Sequence, residues 1–232
     1  MISWRAMPLS DATPSTISFP ATELDPAEMY LLLRDSVLPR PIAWVSTLSD
    51  AGVANLAPFS FFNVCSPSPP VLGFSCGPRG DDHDAVNRVL KDTELNIRAR
   101  EQFVVNVAPE ALMNQMIRSA DSLPHGQSEF AHAGLSEAPS TVVAPPRIAG
   151  SPVAYECNLL QIVELGTNHW IMGTVVQVHI DPSVYLGAVD GKRHRLDLLA
   201  REETRPIGRL GRALYVRLRE IEKHARRDGP NM

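Results

Sequence analysis

Three short segments carry side chains able to hold a phosphorylated, planar ligand. Lys91-Asp92-Thr93 stands where a helical pattern begins. The unpaired N–H groups and positive dipole end of such a terminus attract an anion. Lys91 adds a full charge and Thr93 a hydroxyl donor, so a phosphate monoester suits the set. The same residues also read as a capped helix beside an exposed lysine, and Asp92 repels an anion unless its carboxylate is turned into the cap. The second segment is Asn55-Leu56-Ala57-Pro58-Phe59-Ser60-Phe61-Phe62-Asn63. Amide and hydroxyl groups there can bond the edge of a heterocycle while apolar atoms cover its face, or the aromatics can be plain core at a strand end. The third, Pro39-Arg40-Pro41-Ile42-Ala43-Trp44-Val45-Ser46-Thr47, sets a permanent charge beside a proline-stiffened strand start. Arg40 suits a phosphate or carboxylate, or a solvated rim.

The elements that must position these groups are mostly strands. Strand-like patterns cover 41–48, 53–62, 71–76, 103–107, 154–165 and 169–180, with Ser49-Asp50-Ala51-Gly52 as a turn and the last two patterns as a long hairpin. A helix is expected from Pro26, capped by Asp25 with Glu28 three residues on, its apolar face at Met29, Leu32 and Leu33. Further helices are expected over 92–100, 109–117 and 213–226, the last stopping before Gly229-Pro230. Residues 120–153 read as a long irregular excursion. The expected organisation is a loose arm over 1–21, one domain over 22–228 and a short tail over 229–232. Strands with interspersed helices argue an α+β, mostly β fold with a closed or nearly closed six-stranded barrel.

The totals bound the function class. The chain has 232 residues, is 44% hydrophobic and 21% charged, and carries a net charge of −4, so no basic excess draws the whole chain to nucleic acid. No apolar run reaches the ~18 residues of a membrane span, and the N-terminus lacks a signal peptide's apolar segment. Cys65, Cys76 and Cys157 form no Cys-x-x-Cys pair and read as small buried side chains in a reducing compartment. The expected location is therefore cytoplasmic. The seven histidines fall in no metal-ligand spacing, so no metal is expected. No Rossmann Gly-x-Gly-x-x-Gly, P-loop, His-Glu-x-x-His or Gly-x-Ser-x-Gly occurs, and no catalytic acid, base or nucleophile is named. Arg217, Arg219, Lys223, Arg226 and Arg227, interleaved with Glu220 and Glu222, read as a solvated face.

Taken in order, the segments above resemble the flavin reductase-like family of FMN-binding split barrels. The resemblance includes Asn96, Phe103-Val104-Val105-Asn106-Val107, Glu129-Phe130, Tyr155-Glu156-Cys157, Gly173-Thr174-Val175 and Gly208-Arg209-Leu210-Gly211 with Tyr215. It implies a six-stranded Greek-key split barrel with peripheral helices, a homodimer, and FMN near the subunit interface. It further implies that Lys91 and Thr93, within Lys91-Asp92-Thr93, meet the phosphate, helped by Arg40 or by Ser46 and Thr47. Asn55 and the backbone of Ala57, Pro58, Phe59, Ser60, Phe61 and Phe62 would line the ring and ribityl chain, with Arg209 and Gly211 arriving from the C-terminal side. NADH or NADPH would be the transient electron donor and a flavin-dependent monooxygenase a partner. Three departures stand out: Arg212 follows Gly211 where the family pattern often has a second glycine; a long loop over 77–90 carries Asp81, Asp82 and Asp84; and Gly173-Thr174 lacks an acid found in some relatives.

Hydride transfer between nicotinamide and flavin is the cofactors' own chemistry, which fits the lack of a triad or metal cluster. His125, Glu129 and Phe130 are candidates to border the nicotinamide. Two other readings stay open. The chain could keep FMN bound as an electron carrier or act directly on an organic substrate, or it could be a non-enzymatic barrel that stacks bases, against which the negative net charge speaks.

Overall fold

The computed structural model describes residues 16–80 and 89–224. The expected loop acids Asp81, Asp82 and Asp84 lie outside the described residues, as do most of the N-terminal arm and the C-terminal tail.

Helix α1 (Pro26–Ser36) begins as its sequence dictates. Asp25 Oδ1 accepts from Glu28 N at 2.8 Å, and Glu28 Oε2 accepts from Asp25 N at 3.2 Å. Its expected apolar face is not packed on this chain: no α1 residue is buried, and Leu32 and Leu33 are 49% and 50% exposed. After it come β1 (Ala43–Leu48), β2 (Ala54–Phe59), β3 (Phe62–Pro67), β4 (Pro70–Cys76), α2 (Asp92–Arg100) and β5 (Gln102–Val107). The long excursion holds α3 (Met113–Arg118), α4 (Glu129–Ala133) and a two-residue ladder of β6 (Glu137–Ala138) with β7 (Arg147–Ile148). The hairpin of β8 (Val153–Leu165) and β9 (Asn168–Ile180) follows, then β10 (Tyr185–Val189) with β11 (Arg193–Leu196), and β12 (Ile207–Arg209) with β13 (Tyr215–Arg217).

One antiparallel sheet runs β2-β1-β5-β8-β9-β4-β3. Its two edge strands, β2 and β3, are neighbours in the chain, separated only by Ser60 and Phe61. Three Cα steps span at most about 11 Å, so the sheet must curl until its edges meet at that corner. Register shifts between Glu156/Cys157 and Leu159/Gln161 supply local bending. Inside the curl, Ala43, Val45, Phe59, Phe74, Phe103, Cys157 and Ile171 form one apolar cluster. Gly173 is required there: a Cβ on it would fall inside the Phe103 ring. Alternation along β1 sends Trp44 outward into a second cluster with Leu56, Met116 of α3 and Phe130 of α4. Residues Ala43 to Thr47 are consequently all buried.

The α+β, mostly β barrel class read from the sequence holds, with seven strands in the main ladder instead of six. The single strand expected over 53–62 breaks at Ser60-Phe61, because there the chain leaves one sheet edge and joins the other. The helix expected over 213–226 is absent from its described part, which contains β13. Leu214, Val216 and Leu218 alternate with Tyr215, Arg217 and Arg219, a period of two that outweighs the helix-favouring Glu and Lys further on. Cys65 is exposed, unlike buried Cys76 and Cys157. Among the described residues, no helix is long and apolar enough to cross a membrane.

Candidate functional site

Two contiguous cavities open along β2, one of about 620 Å³ and one of about 300 Å³. Pro58, Phe59, Gly80, Lys91 and Ala120 line both. The smaller is framed by Asn55, Ala57, Arg79, Asp92, Thr93, the Ser119–Leu123 stretch and Glu129. The larger is framed by Tyr30, Arg34, Arg40, Ser60, Phe61, Arg209, Arg212 and Tyr215, among others.

The smaller cavity rests on a buried hydrogen-bond network. Asn55 satisfies its surroundings with Oδ1 accepting from Thr93 Oγ1 at 3.0 Å, Thr47 Oγ1 at 3.3 Å and Leu56 N at 3.2 Å, while Nδ2 donates to Glu129 Oε2 at 3.3 Å. Asn96 Nδ2 donates to Thr47 Oγ1 at 3.0 Å. Glu129 Oε2 also accepts from Leu56 N at 2.9 Å, closing an outward N–H of edge strand β2. Burial pushes the Glu129 carboxyl above its usual range, against the pull of the Leu56 N–H. The start of α2 is thereby tied to β1 and β2 through neutral groups.

Lys91 is the N-cap residue of α2, with no side-chain cap bond at that terminus. Its ammonium stands 5.8 Å from the Phe59 ring centroid. The Asp92 carboxylate is not turned into the cap. It meets Arg79 at 3.4 Å and touches the His125 ring, so its charge is opposed. Arg79 also donates to Leu123 O. Across the cavity, Trp44 Nε1 donates to Ser119 Oγ at 2.9 Å, fixing the wall after α3.

The larger cavity is bounded by aromatics and guanidinium groups. Tyr30 and Phe61 lie 6.4 Å apart in a tilted pair, and Arg209 stacks over Tyr215 at 4.4 Å. Arg40 is only 5% exposed. Its guanidinium donates to Ser60 Oγ at 3.3 Å, Val37 O at 3.0 Å and Leu210 O at 2.9 Å, and to Arg34 O. Burial, then the Arg209 charge, lowers its pKa.

The structure thus gathers Asn55, Ala57, Pro58, Phe59, Ser60, Phe61, Lys91, Asp92, Thr93, Arg40 and Arg209 around these two adjoining cavities. Four residues expected there are set back. Ser46 Oγ donates to Pro146 O at 2.5 Å and accepts from Asn106 Nδ2 at 3.2 Å. Thr47 lies behind Asn55 in the network. Phe62 packs on the barrel core. Gly211 abuts α1, where a Cβ would fall inside the Asp35 carboxylate. Of the residues expected to border a nicotinamide, Phe130 is core and Glu129 holds β2. Sequence reading passed over Tyr30, Arg79 and Ser119, and noted Arg212 only as a departure from a double glycine.

Residues 34–197 match the family described as Flavin reductase like domain. The chain belongs to this family. A protein of Aquifex aeolicus is 36% identical over 201 residues, spanning 87% of this chain and 95% of its own. Nitrilotriacetate monooxygenase component B from Bacillus cereus superposes with a TM-score of 0.78 at 28% identity, covering 91% of this chain and 100% of its own. The 2-nitrobenzoate 2-nitroreductase of Pseudomonas fluorescens gives 0.76 at 28% identity, over 93% and 99%. The cavity of this flavin reductase-like chain fits a flavin on its own chemistry. One end presents a cation at an uncapped helix start, and the other a wide space walled by aromatic rings and peptide groups.

Proposed function

We propose that the chain is an FMN-dependent NAD(P)H:flavin oxidoreductase, with the phosphate end of FMN in the smaller cavity and its ring in the larger. The observation that carries this reading is that the two cavities adjoin at Lys91, Pro58 and Phe59, which line both. Lys91 Nζ would hold the phosphate, assisted by the dipole of α2, while Thr93, whose hydroxyl donates to Asn55 Oδ1, would fix that helix start behind it. Asn55, Ala57 and Pro58 would flank the ribityl chain, and Ser60, Phe61 and Arg209 the ring. The bound flavin supplies the electron chemistry. The chain's own residues bind, orient and shield: Phe59 and Phe61 exclude water, and Arg40 holds Ser60 and the Leu210 peptide in place. Ser46 and Thr47 would stand behind the phosphate site as supports, and Arg40 behind the ring, because their polar atoms are engaged by protein groups.

Mixing the protein with FMN and NADH or NADPH without oxygen tests the proposal. Loss of the oxidised flavin absorbance with either nucleotide is expected; no loss with either overturns it. The resemblance to a monooxygenase component supports a reductase feeding reduced FMN to a separate oxygenase. A homodimer is supported by the unpacked leucines of α1, and light scattering after gel filtration checks it. We place the protein in the cytoplasm, where exposed Cys65 would stay a thiol. A second reading, tightly held FMN acting on an organic substrate, is favoured by the likeness to a nitroreductase. Flavin retained through gel filtration supports that reading, and rapid exchange supports the first.

A further inference from the structure

Residues 120–127 connect α3 to α4, and the first of them, up to Leu123, form a wall of the smaller cavity. Both ends of the stretch are anchored inside the protein. At one end the buried Ser119 hydroxyl accepts from Trp44 Nε1 at 2.9 Å and donates to Met116 O at 2.8 Å. At the other, buried Glu129 accepts from Leu56 N at 2.9 Å. Between these anchors every residue of 120–127 except half-buried Leu123 is exposed. The chain turns there at Gly126, whose φ is +80°.

The middle of the stretch is fastened to another wall of the same cavity, made by Arg79 and the start of α2. Arg79 Nη2 donates to Leu123 O, and its Nη1 meets both Asp92 carboxylate oxygens at 3.4 Å. His125 Nδ1 meets Asp92 Oδ1. The His125 side chain is 69% exposed, so this bridge lies at the rim of the cavity. The other acids lining the cavity are held elsewhere: Asp121 Oδ2 meets His132 Nε2 at 2.7 Å, and Glu129 is engaged by β2. Exposed charge pairs are weak and screened by salt, whereas buried hydrogen bonds are costly to break. The middle can therefore open while both ends hold, a local event far cheaper than unfolding.

We propose that residues 120–127 are a strap over the phosphate end of the flavin, latched by Arg79 and His125, whose opening sets how fast FMN enters and leaves. This rests on the flavin reading above and decides whether the flavin exchanges or stays. A latch made equally with and without ligand slows entry and exit alike, so it governs rates and leaves affinity in place.

The test is stopped-flow fluorescence of FMN binding and release in the wild type, Arg79→Lys and His125→Ala. Lysine keeps a positive charge beside Asp92, but an ammonium cannot span that carboxylate and Leu123 O as a guanidinium fork does. Association and dissociation rate constants are both expected to rise about tenfold in Arg79→Lys. In His125→Ala both should rise about two- to fivefold. Kd should stay within about threefold in each. Faster release with unchanged entry would make Arg79 a plain phosphate contact and overturn the strap. Unchanged rates overturn it as well. Amide exchange in flavin-free protein, followed by NMR, separates this from the flavin reading. The Gln127 N–H, which donates to Pro124 O at 3.2 Å, should exchange faster in Arg79→Lys, with Leu56 as in the wild type. That result supports the strap even if FMN fails to bind, and equal exchange at Gln127 counts against it.

Discussion

The two ends of the cavity are held by different physics. At the Lys91 end, position is set by side-chain hydrogen bonds inside the barrel wall, with Asn55 joining Thr93, Thr47 and Glu129. At the Arg212 end, position is set by guanidinium groups gripping peptide oxygens outside the barrel, with Arg40 joining α1, Ser60 and Leu210. The first end is held because β1 is hydrogen-bonded on both sides and the edge strand β2 is tied down by Glu129. The second depends on one buried charge. The contrast is between a socket fixed by the sheet and a mouth fixed by one buried guanidinium.

The heaviest blow to this contrast is Arg40→Ala. It strands Leu210 O, Val37 O and Arg34 O and is expected to cost about 3 kcal/mol, seen as a melting temperature lower by about 6–12 °C. The Arg212 end should loosen while the network around Asn55 survives, so protection of backbone N–H groups from hydrogen exchange should fall at Leu210 and hold at Leu56. Equal damage to both would merge the two ends into one unit. Arg40→Lys should recover little, because an ammonium cannot span the same acceptors.

Next in size are two buried glutamates with opposite pH behaviour. Burial works against the charge of Glu156, but the N–H groups of Thr141, Val142 and Val143 together with His179 outweigh it and hold the carboxyl below its usual range. Its contribution to stability is therefore full above the ordinary carboxylate range and lost as pH falls below it. Glu156→Gln should destabilise near neutral pH by about 1–3 kcal/mol and make little difference in acid. Glu129 is raised by burial, so its contribution is full in acid and fades as pH rises through the raised value. Glu129→Gln should thus be neutral or stabilising above the usual range of about 4.3. Denaturant midpoints across pH check both signs.

The smallest effect concerns thiols. Burial pushes Cys157 up to about 12, and Cys65 is exposed. A thiol reagent at neutral pH should modify Cys65 rapidly and leave Cys157 unmodified until the protein unfolds, without altering either end of the cavity.

Much of this was legible in the chain. Period-two patterns marked six main strands, Asp25-Pro26 marked α1, and Lys91-Asp92-Thr93 marked the start of α2. Lys91, Thr93 and Asn55 stood out by residue type, and their roles at the proposed phosphate end came from the family resemblance. What escaped was whatever depends on distant partners. Glu129 reaches Leu56 across 73 residues and Arg40 reaches Leu210 across 170, and no local pattern encodes either. The corner at Ser60-Phe61 was hidden because aromatics run on through it. Arg212 was noticed as a departure from glycine, but not as part of the larger cavity's wall.

The most direct measurement is the FMN dissociation constant of the wild type against Lys91→Ala, by titration of flavin fluorescence. Loss of a charge-assisted contact should weaken binding about 10–100-fold, with the melting temperature little changed. An affinity within about twofold of the wild type would mean that the phosphate does not sit at the start of α2, and the proposed placement of the flavin would be wrong.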